Sequence, residues 1–241
     1  VAAPLLLTGR TALVTGASRG IGRAVAQAFV ASGARVFLAS RTRPELEQLA
    51  QALGPLAYAC PGDLTDAVAV ARMTDEVLGQ AGGGVDILVN NAGIFPLAPI
   101  VETTPTLFEQ TLAANLAAPF RVLHALLPAM KARGAGHVVT IGSVADRRIF
   151  GGNAAYSASK FGARALHEVL REELAGSGVR ATLVSPAATD TPIWDPVDPD
   201  RTPGLPPRAR MLRPDDVADA VWWAVTRPAH VNVDELRVSR A

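Results

Sequence analysis

Short apolar runs alternate with longer amphipathic ones along the chain. TALVT (11–15), ARVFLAS (34–40), LAYACP (56–61), DILVNN (86–91), HVVTIGS (137–143) and VRATLVS (179–185) are apolar or β-branched almost throughout. That is the composition of strands covered on both faces. Between them, residues 20–32, 44–53, 66–80, 104–134 and 158–177 have the character of amphipathic helices. A short helix over 215–226 and a last strand over 231–238 close the chain. Alternating strands and helices predict parallel neighbours, since parallel strands need crossover connections. The expected fold is α/β, a doubly wound Rossmann-type parallel sheet of about seven strands with helices on both faces.

One stretch breaks the pattern. Residues 189–214 are too rich in proline for a strand or helix interior. A long loop in a compact domain is usually functional or disordered, so this one is expected to form a lid over a pocket. Residues 1–9 are an N-terminal extension, and 1–241 suits a single domain.

Composition narrows the partners. The chain is 49% hydrophobic and 19% charged, as ordinary globular proteins are. A net charge of +1 offers no electrostatic reason to expect nucleic acid or an anionic membrane. No unbroken apolar run approaches the roughly 20 residues that span a bilayer, and no basic segment leads into an apolar one at the N-terminus. The lone Cys60 cannot form an internal disulfide and fits a buried thiol in a reducing compartment. A cytoplasmic location is therefore expected. The four histidines are far apart, so no metal site is expected.

Thr15-Gly16-Ala17-Ser18-Arg19-Gly20-Ile21-Gly22 follows the first strand and opens into a helix. Glycines allow a tight turn and close approach to a pyrophosphate, while the helix N-terminus attracts the anion. The spacing is G-x-x-x-G-x-G, and tight packing alone would also explain it. At the end of the second strand, where an acidic residue would bind the ribose hydroxyls of NAD, stand Ser40 and Arg41. Arg41 and Arg19, with no carboxylate, fit a 2′-phosphate, which favours NADP(H) over NAD(H).

A second cluster concerns proton transfer. The chain has 23 basic residues but only two lysines, and Lys160 lies four positions after Tyr156, one of two tyrosines. On a helix the two share a face. A nearby ammonium favours the phenolate and lowers a phenol pKa that is normally near 10. Ser143 ends a strand on the side where ligands enter such sheets. Pro119, four residues after Asn115, lacks an N–H and crowds the Asn115 carbonyl, which predicts a helix kink there or, alternatively, the end of a helix near residue 117.

TGASRGIG (15–22), GDLTD (62–66), NNAG (90–93), Asn115, IGS (141–143) and YSASK (156–160) together resemble the short-chain dehydrogenase/reductase family along nearly the whole chain. The resemblance implies an oxidoreductase acting on CH–OH groups, with Asn115, Ser143, Tyr156 and Lys160 as its catalytic set. It implies that Ser143 bonds the substrate carbonyl, that Lys160 also bonds the nicotinamide ribose, and that Asn115 holds a relay water at a helix kink. Cofactor contacts would come from Gly16, Ser18, Arg19, Gly20, Ile21 and Gly22, from Ser40 and Arg41, and from Asp63 and Leu64 against the adenine. Asn90, Ala92 and Gly93 would line the channel, and Pro186, Thr189 and Thr191 would hold the carboxamide. Ala187 and Thr189 replace the family's usual Gly and Val. The resemblance further implies a homodimer or homotetramer, consistent with an apolar stripe of Ala155, Ala163, Leu166 and Leu170 that could equally serve the core.

The substrate is less defined. Ile94, Phe95, Val144, Phe150, Ala187 and Trp194 suggest an apolar pocket for a small molecule. Arg147 or Arg148 could bind a carboxylate or phosphate, or be a solvated loop charge. The tail RPAHVNVDELRVSR resembles the ends of short-chain enzymes acting on 3-hydroxy acids and serine and of clavulanate-type dehydrogenases, which implies a 3-hydroxy or 3-oxo acid or a similar small ketone as substrate. It lacks the double glycine common in 3-oxoacyl-[acyl-carrier-protein] reductases, which remain the alternative. A non-catalytic NADP(H)-binding regulatory protein is the alternative of another class.

Overall fold

Seven parallel strands form one sheet in the order β3-β2-β1-β4-β5-β6-β7. They are β1 Thr11–Thr15, β2 Arg35–Ser40, β3 Ala57–Pro61, β4 Ile87–Asn90, β5 Gly136–Ile141, β6 Val179–Pro186 and β7 Glu235–Val238. The structure, a computed structural model, describes residues 6–241. Residues 1–5 of the expected extension lie outside the described residues, while Leu7 is buried and its N–H bonds to Ser32 O at 2.9 Å. The helices are α1 Gly20–Ala31, α2 Arg43–Leu53, α3 Ala67–Gln80, α4 Pro105–Leu112, α5 Ala118–Arg133, α6 Ala154–Glu173 and α7 Pro214–Val225.

Successive β1 side chains serve opposite faces, as the strand period requires. Val14 joins a core with Phe29 of α1 and Val217 and Val221 of α7. Leu13 joins the other core with Leu88, Leu126 and Met130. Covering both faces is what makes the strands apolar throughout. Because β1 pairs β2 on one side and β4 on the other, chain order reverses there and a crevice opens at the strand ends.

Two expectations are revised. The last strand covers Glu235–Val238 rather than 231–238. At its start the Asn232 side chain replaces the ladder, accepting from Ala181 N–H and donating to Ala181 O, both at 3.2 Å. Helix α6 begins at Ala154, not at 158, so Tyr156 lies inside it. Of the stripe left open between core and interface, Ala155, Ala163 and Leu170 are buried within the single chain and Leu166 is half-buried.

The run expected as one helix over 104–134 is continuous but not uniform. Ala113–Ala117 form a π-helical turn, with Ala118 N–H bonded to Ala113 O, and α5 resumes at once with Pro119 in its first turn. The widened turn lies immediately before the proline, as expected of such distortions. By length and composition the 29 helical residues Pro105–Arg133, with a mean hydropathy of 1.2 in their most apolar window, could cross a membrane. In the fold, Val122, Leu126 and Met130 of α5 are buried in the core they share with Leu13, Leu88 and Val138 of the sheet.

Candidate active site

The carboxyl ends of the central strands open onto a cavity of about 670 Å³. Every site residue expected from the sequence lines it except Gly22, Asn90 and Asn115. Gly22 lies beneath the turn, where a Cβ would come within 2.3 Å of Gly16 O. Asn90 points away and donates from Nδ2 to Pro119 O at 3.3 Å, while its neighbour Asn91 faces the cavity.

The glycine turn is clamped to β4. Thr15 Oγ1 accepts from Asn91 N–H at 2.9 Å and Ala92 N–H at 3.1 Å, and Asn91 Nδ2 donates to Thr15 O at 2.9 Å. Gly16 has φ +66°, and a Cβ there would meet Ala92 Cα at 2.9 Å. Arg19 caps α1 without a side-chain cap bond, leaving the first N–H groups of the helix available to an anion. Among the described residues the Arg19 and Arg41 side chains form no ion pair. The cradle, the open helix end and the two guanidiniums fit the phosphates of a dinucleotide.

Three details at this end differ from expectation or escaped it. A carboxylate is present after all: Glu45 lines the cavity, with Oε2 accepting from Thr42 Oγ1 at 2.8 Å. Asp63 is held in a local turn, its Oδ1 accepting from Thr65 N–H and Oγ1 at 2.9 and 2.8 Å. Those bonds hold its carboxyl below the ordinary range, and Asp66 caps α3.

At the other end, α6 presents Tyr156 and Lys160. Burial pushes the phenol up to about 12, the hydrogen bond with Ser143 opposes this, and the Asp146 charge adds to it. Burial pushes Lys160 down to about 8, with Asp146 opposing. Lys160 Nζ donates to Ile141 O at 3.0 Å and lies 5.6 Å from the centroid of the Tyr156 ring. Desolvation thus sets the direction, the hydrogen bond with Ser143 is the lowering influence, and the expected depression of the phenol by lysine is not seen.

Asn115 is held by its side chain. Oδ1 accepts from Ile94 N–H at 2.8 Å, and Nδ2 donates to Ile94 O at 2.9 Å and Ser159 Oγ at 3.0 Å. A void of about 20 Å³ lies between Asn90, Asn115 and Lys160, room for one water.

Ser143 opens a short 3-10 turn over Val144–Asp146 as a reciprocal capping box. The Ser-x-x-Asp spacing carried this signal, but the depth of the carboxylate did not show. Asp146 is fully buried, with Oδ2 accepting from Ser185 Oγ at 2.5 Å and Oδ1 from Arg147 Nε at 2.9 Å. Arg147 and Arg164 then reach Glu235 of β7 at 2.5 and 3.1 Å.

Within 189–214, short 3-10 helices span Pro192–Val197 and Arg208–Arg210. Arg208 ties the segment together through Asp190 at 2.7 Å and Asp195 at 2.6 Å. Trp194 Nε1 donates to Thr189 O at 3.0 Å, setting the indole against the cavity wall.

A family model described as short chain dehydrogenase matches residues 10–202. The chain is 38% identical over 238 residues to the glycine betaine reductase ATRR of Emericella nidulans, covering 96% of this chain but only 19% of that protein. A metagenomic short-chain oxidoreductase crystallised with NADP superposes with a TM-score of 0.85 at 34% identity, over 98% of this chain and 99% of its own. The closed form of serine dehydrogenase complexed with NADP+ gives 0.87 at 31% identity, over 94% and 93%.

Proposed function

We propose that this chain, which belongs to the short-chain dehydrogenase family, interconverts a carbonyl compound and its alcohol using NADP(H). The observation that carries this reading is that Ser143, Tyr156 and Lys160 share one cavity with the glycine turn. Bound NADPH would supply the hydride.

The chain's own groups manage position and proton. Arg19 and Arg41 stand where they can hold a 2′-phosphate, and two neighbours are complexed with NADP or NADP+. Ser143 Oγ hydrogen-bonds the carbonyl oxygen beside the Tyr156 hydroxyl. A phenol held neutral by burial donates its proton to that oxygen as negative charge develops there. Lys160, one turn away, stabilises the phenolate left behind, and a water in the void beside Asn115 can pass the replacement proton. A homo-oligomer is part of the same reading, supported by exposed Phe108, Phe120 and Phe161 on α4, α5 and α6.

NADPH oxidation with a panel of ketones tests the reading. Tyr156→Phe is expected to lower turnover by at least ~100-fold while leaving NADPH binding intact. Equal turnover by parent and variant would overturn the role of Tyr156.

A further inference from the structure

The part of the cavity around Tyr156 is built from rings and branched chains. Phe95 meets the Tyr156 ring edge-on, with centroids 4.8 Å apart at 86°, and lies 4.8 Å from the Trp194 ring. Val144, Phe150, Ile193 and Leu205 extend this wall. The one polar atom of Trp194 is committed to Thr189 O, so its ring serves the cavity as apolar surface.

Charge is placed elsewhere. Arg19, Arg41, Glu45 and Asp63 line the cavity at the glycine-turn end, and Lys160 is anchored on Ile141 O. Near Ser143, Arg147 is committed to Asp146 and Glu235. Arg148 is exposed, its guanidinium 5.1 Å from the centroid of the Phe150 ring, and it is not among the residues lining the cavity. In the lid segment, Arg208 is held by Asp190 and Asp195. The Asn153 carboxamide lines the wall and can offer a hydrogen bond, but no charge. The nearest fixed charge of Ser143's own turn is negative, since Asp146 accepts the Ser143 N–H.

From this arrangement we infer that the substrate is an uncharged ketone carrying an apolar, aromatic group, and that the site rejects carboxylates. A carboxylate on this wall would lose its water with no guanidinium to receive it, and the nearby ammonium of Lys160 is already held on Ile141 O beside the Tyr156 ring. An aryl group would instead gain offset or edge-to-face contacts with Phe95 and Trp194. The inference rests on the carbonyl-reduction reading above, and it separates this site from hydroxy-acid and serine chemistry.

Methyl benzoylformate and benzoylformate are suited to the test, because they share the aryl ketone and differ in charge. With NADPH at neutral pH, the ester is expected to show kcat/KM about 100-fold higher or more. Acid reduced as well as ester would overturn the inference. Phe150→Arg is expected to narrow the gap at least ~10-fold by raising the value for the acid. Melting temperature and NADPH fluorescence titration would verify that the variant is folded and loaded. If Phe150→Arg does not fold, Val144→Lys places the charge on the adjoining wall. No improvement for the acid in a folded, NADPH-binding variant would show that charge is not the discriminator and would also overturn the inference. Failure of the parent to reduce either ketone, or any other in the panel, while binding NADPH would instead sink the reductase reading itself.

Discussion

The carboxylate of Asp146 accepts the backbone N–H of Ser143 at 3.2 Å, while Ser143 Oγ caps the Ala145 N–H at 3.1 Å. The serine that lines the cavity beside Tyr156 is therefore oriented by a carboxylate with no solvent exposure of its own. That carboxylate is linked through Arg147 to the last strand.

Asp146→Asn keeps the shape but removes the charge that Arg147 answers. Breaking a buried pair is costly, although Arg147 is 28% exposed and can turn partly to solvent. A loss of about 2 kcal/mol is expected after allowing for that screening. The displaced Ser143 should lower kcat by ~10-fold or more with NADPH affinity unchanged. Calorimetry and steady-state kinetics measure the two effects, and unchanged kcat would reduce Asp146 to a stability role.

Coenzyme choice should be adjustable at the end of β2. With Arg41 holding the 2′-phosphate as proposed, Arg41→Ala is expected to lower kcat/KM for NADPH by roughly 10- to 100-fold, with far less change for NADH. Glu45 lines the same end, so Glu45→Gln should move the NADPH value upward. If both coenzymes responded equally to Arg41→Ala, the guanidinium would not be reading the 2′-phosphate.

Two glycine substitutions should behave oppositely. At Gly22 a Cβ would lie 2.3 Å from Gly16 O and 2.5 Å from Asn91 Nδ2, so Gly22→Ala must push the turn off β4. A cost of about 1–3 kcal/mol and lost NADPH binding are expected. Gly79 in α3 has nothing within 4 Å of that position. Gly79→Ala should stabilise by roughly 0.5–1 kcal/mol through helix propensity. Thermal melts of both variants provide the comparison.

Acid should destabilise the fold through two histidines. Burial pushes His137 down to about 3 and His167 to about 4, helped for His137 by Arg180 and His167. His137 Nε2 lies 2.7 Å from Thr182 Oγ1, and His167 Nδ1 lies 3.0 Å from Thr140 Oγ1. The unfolded chain takes up these protons near pH 6.5, while the native chain resists until about 4 and 3. Stability is therefore full above about 6.5 and falls as pH drops through the folded values, by on the order of a few kcal/mol. Urea midpoints measured from pH 7.5 to 4 should decline, and His137→Gln should flatten the decline. A flat profile in the parent would contradict neutral burial.

What the sequence determined by itself is what short-range physics controls. Apolar runs at strand length, the glycine turn after β1, and Tyr156 one turn before Lys160 all follow from spacing along the chain. Even the distortion ahead of Pro119 was legible, because a missing N–H acts only on its own helix. Tertiary structure decided what depends on residues far apart in sequence. Asn115 meets Ile94, Asp146 meets Ser185, and Arg147 meets Glu235 only once strands and helices dock. The same docking buried Ala155, Ala163 and Leu170 inside one chain and brought Glu45 to the cavity. It also reversed the expected direction at Tyr156, since desolvation depends on everything packed around a group, whereas the lysine's influence could be read from a spacing of four.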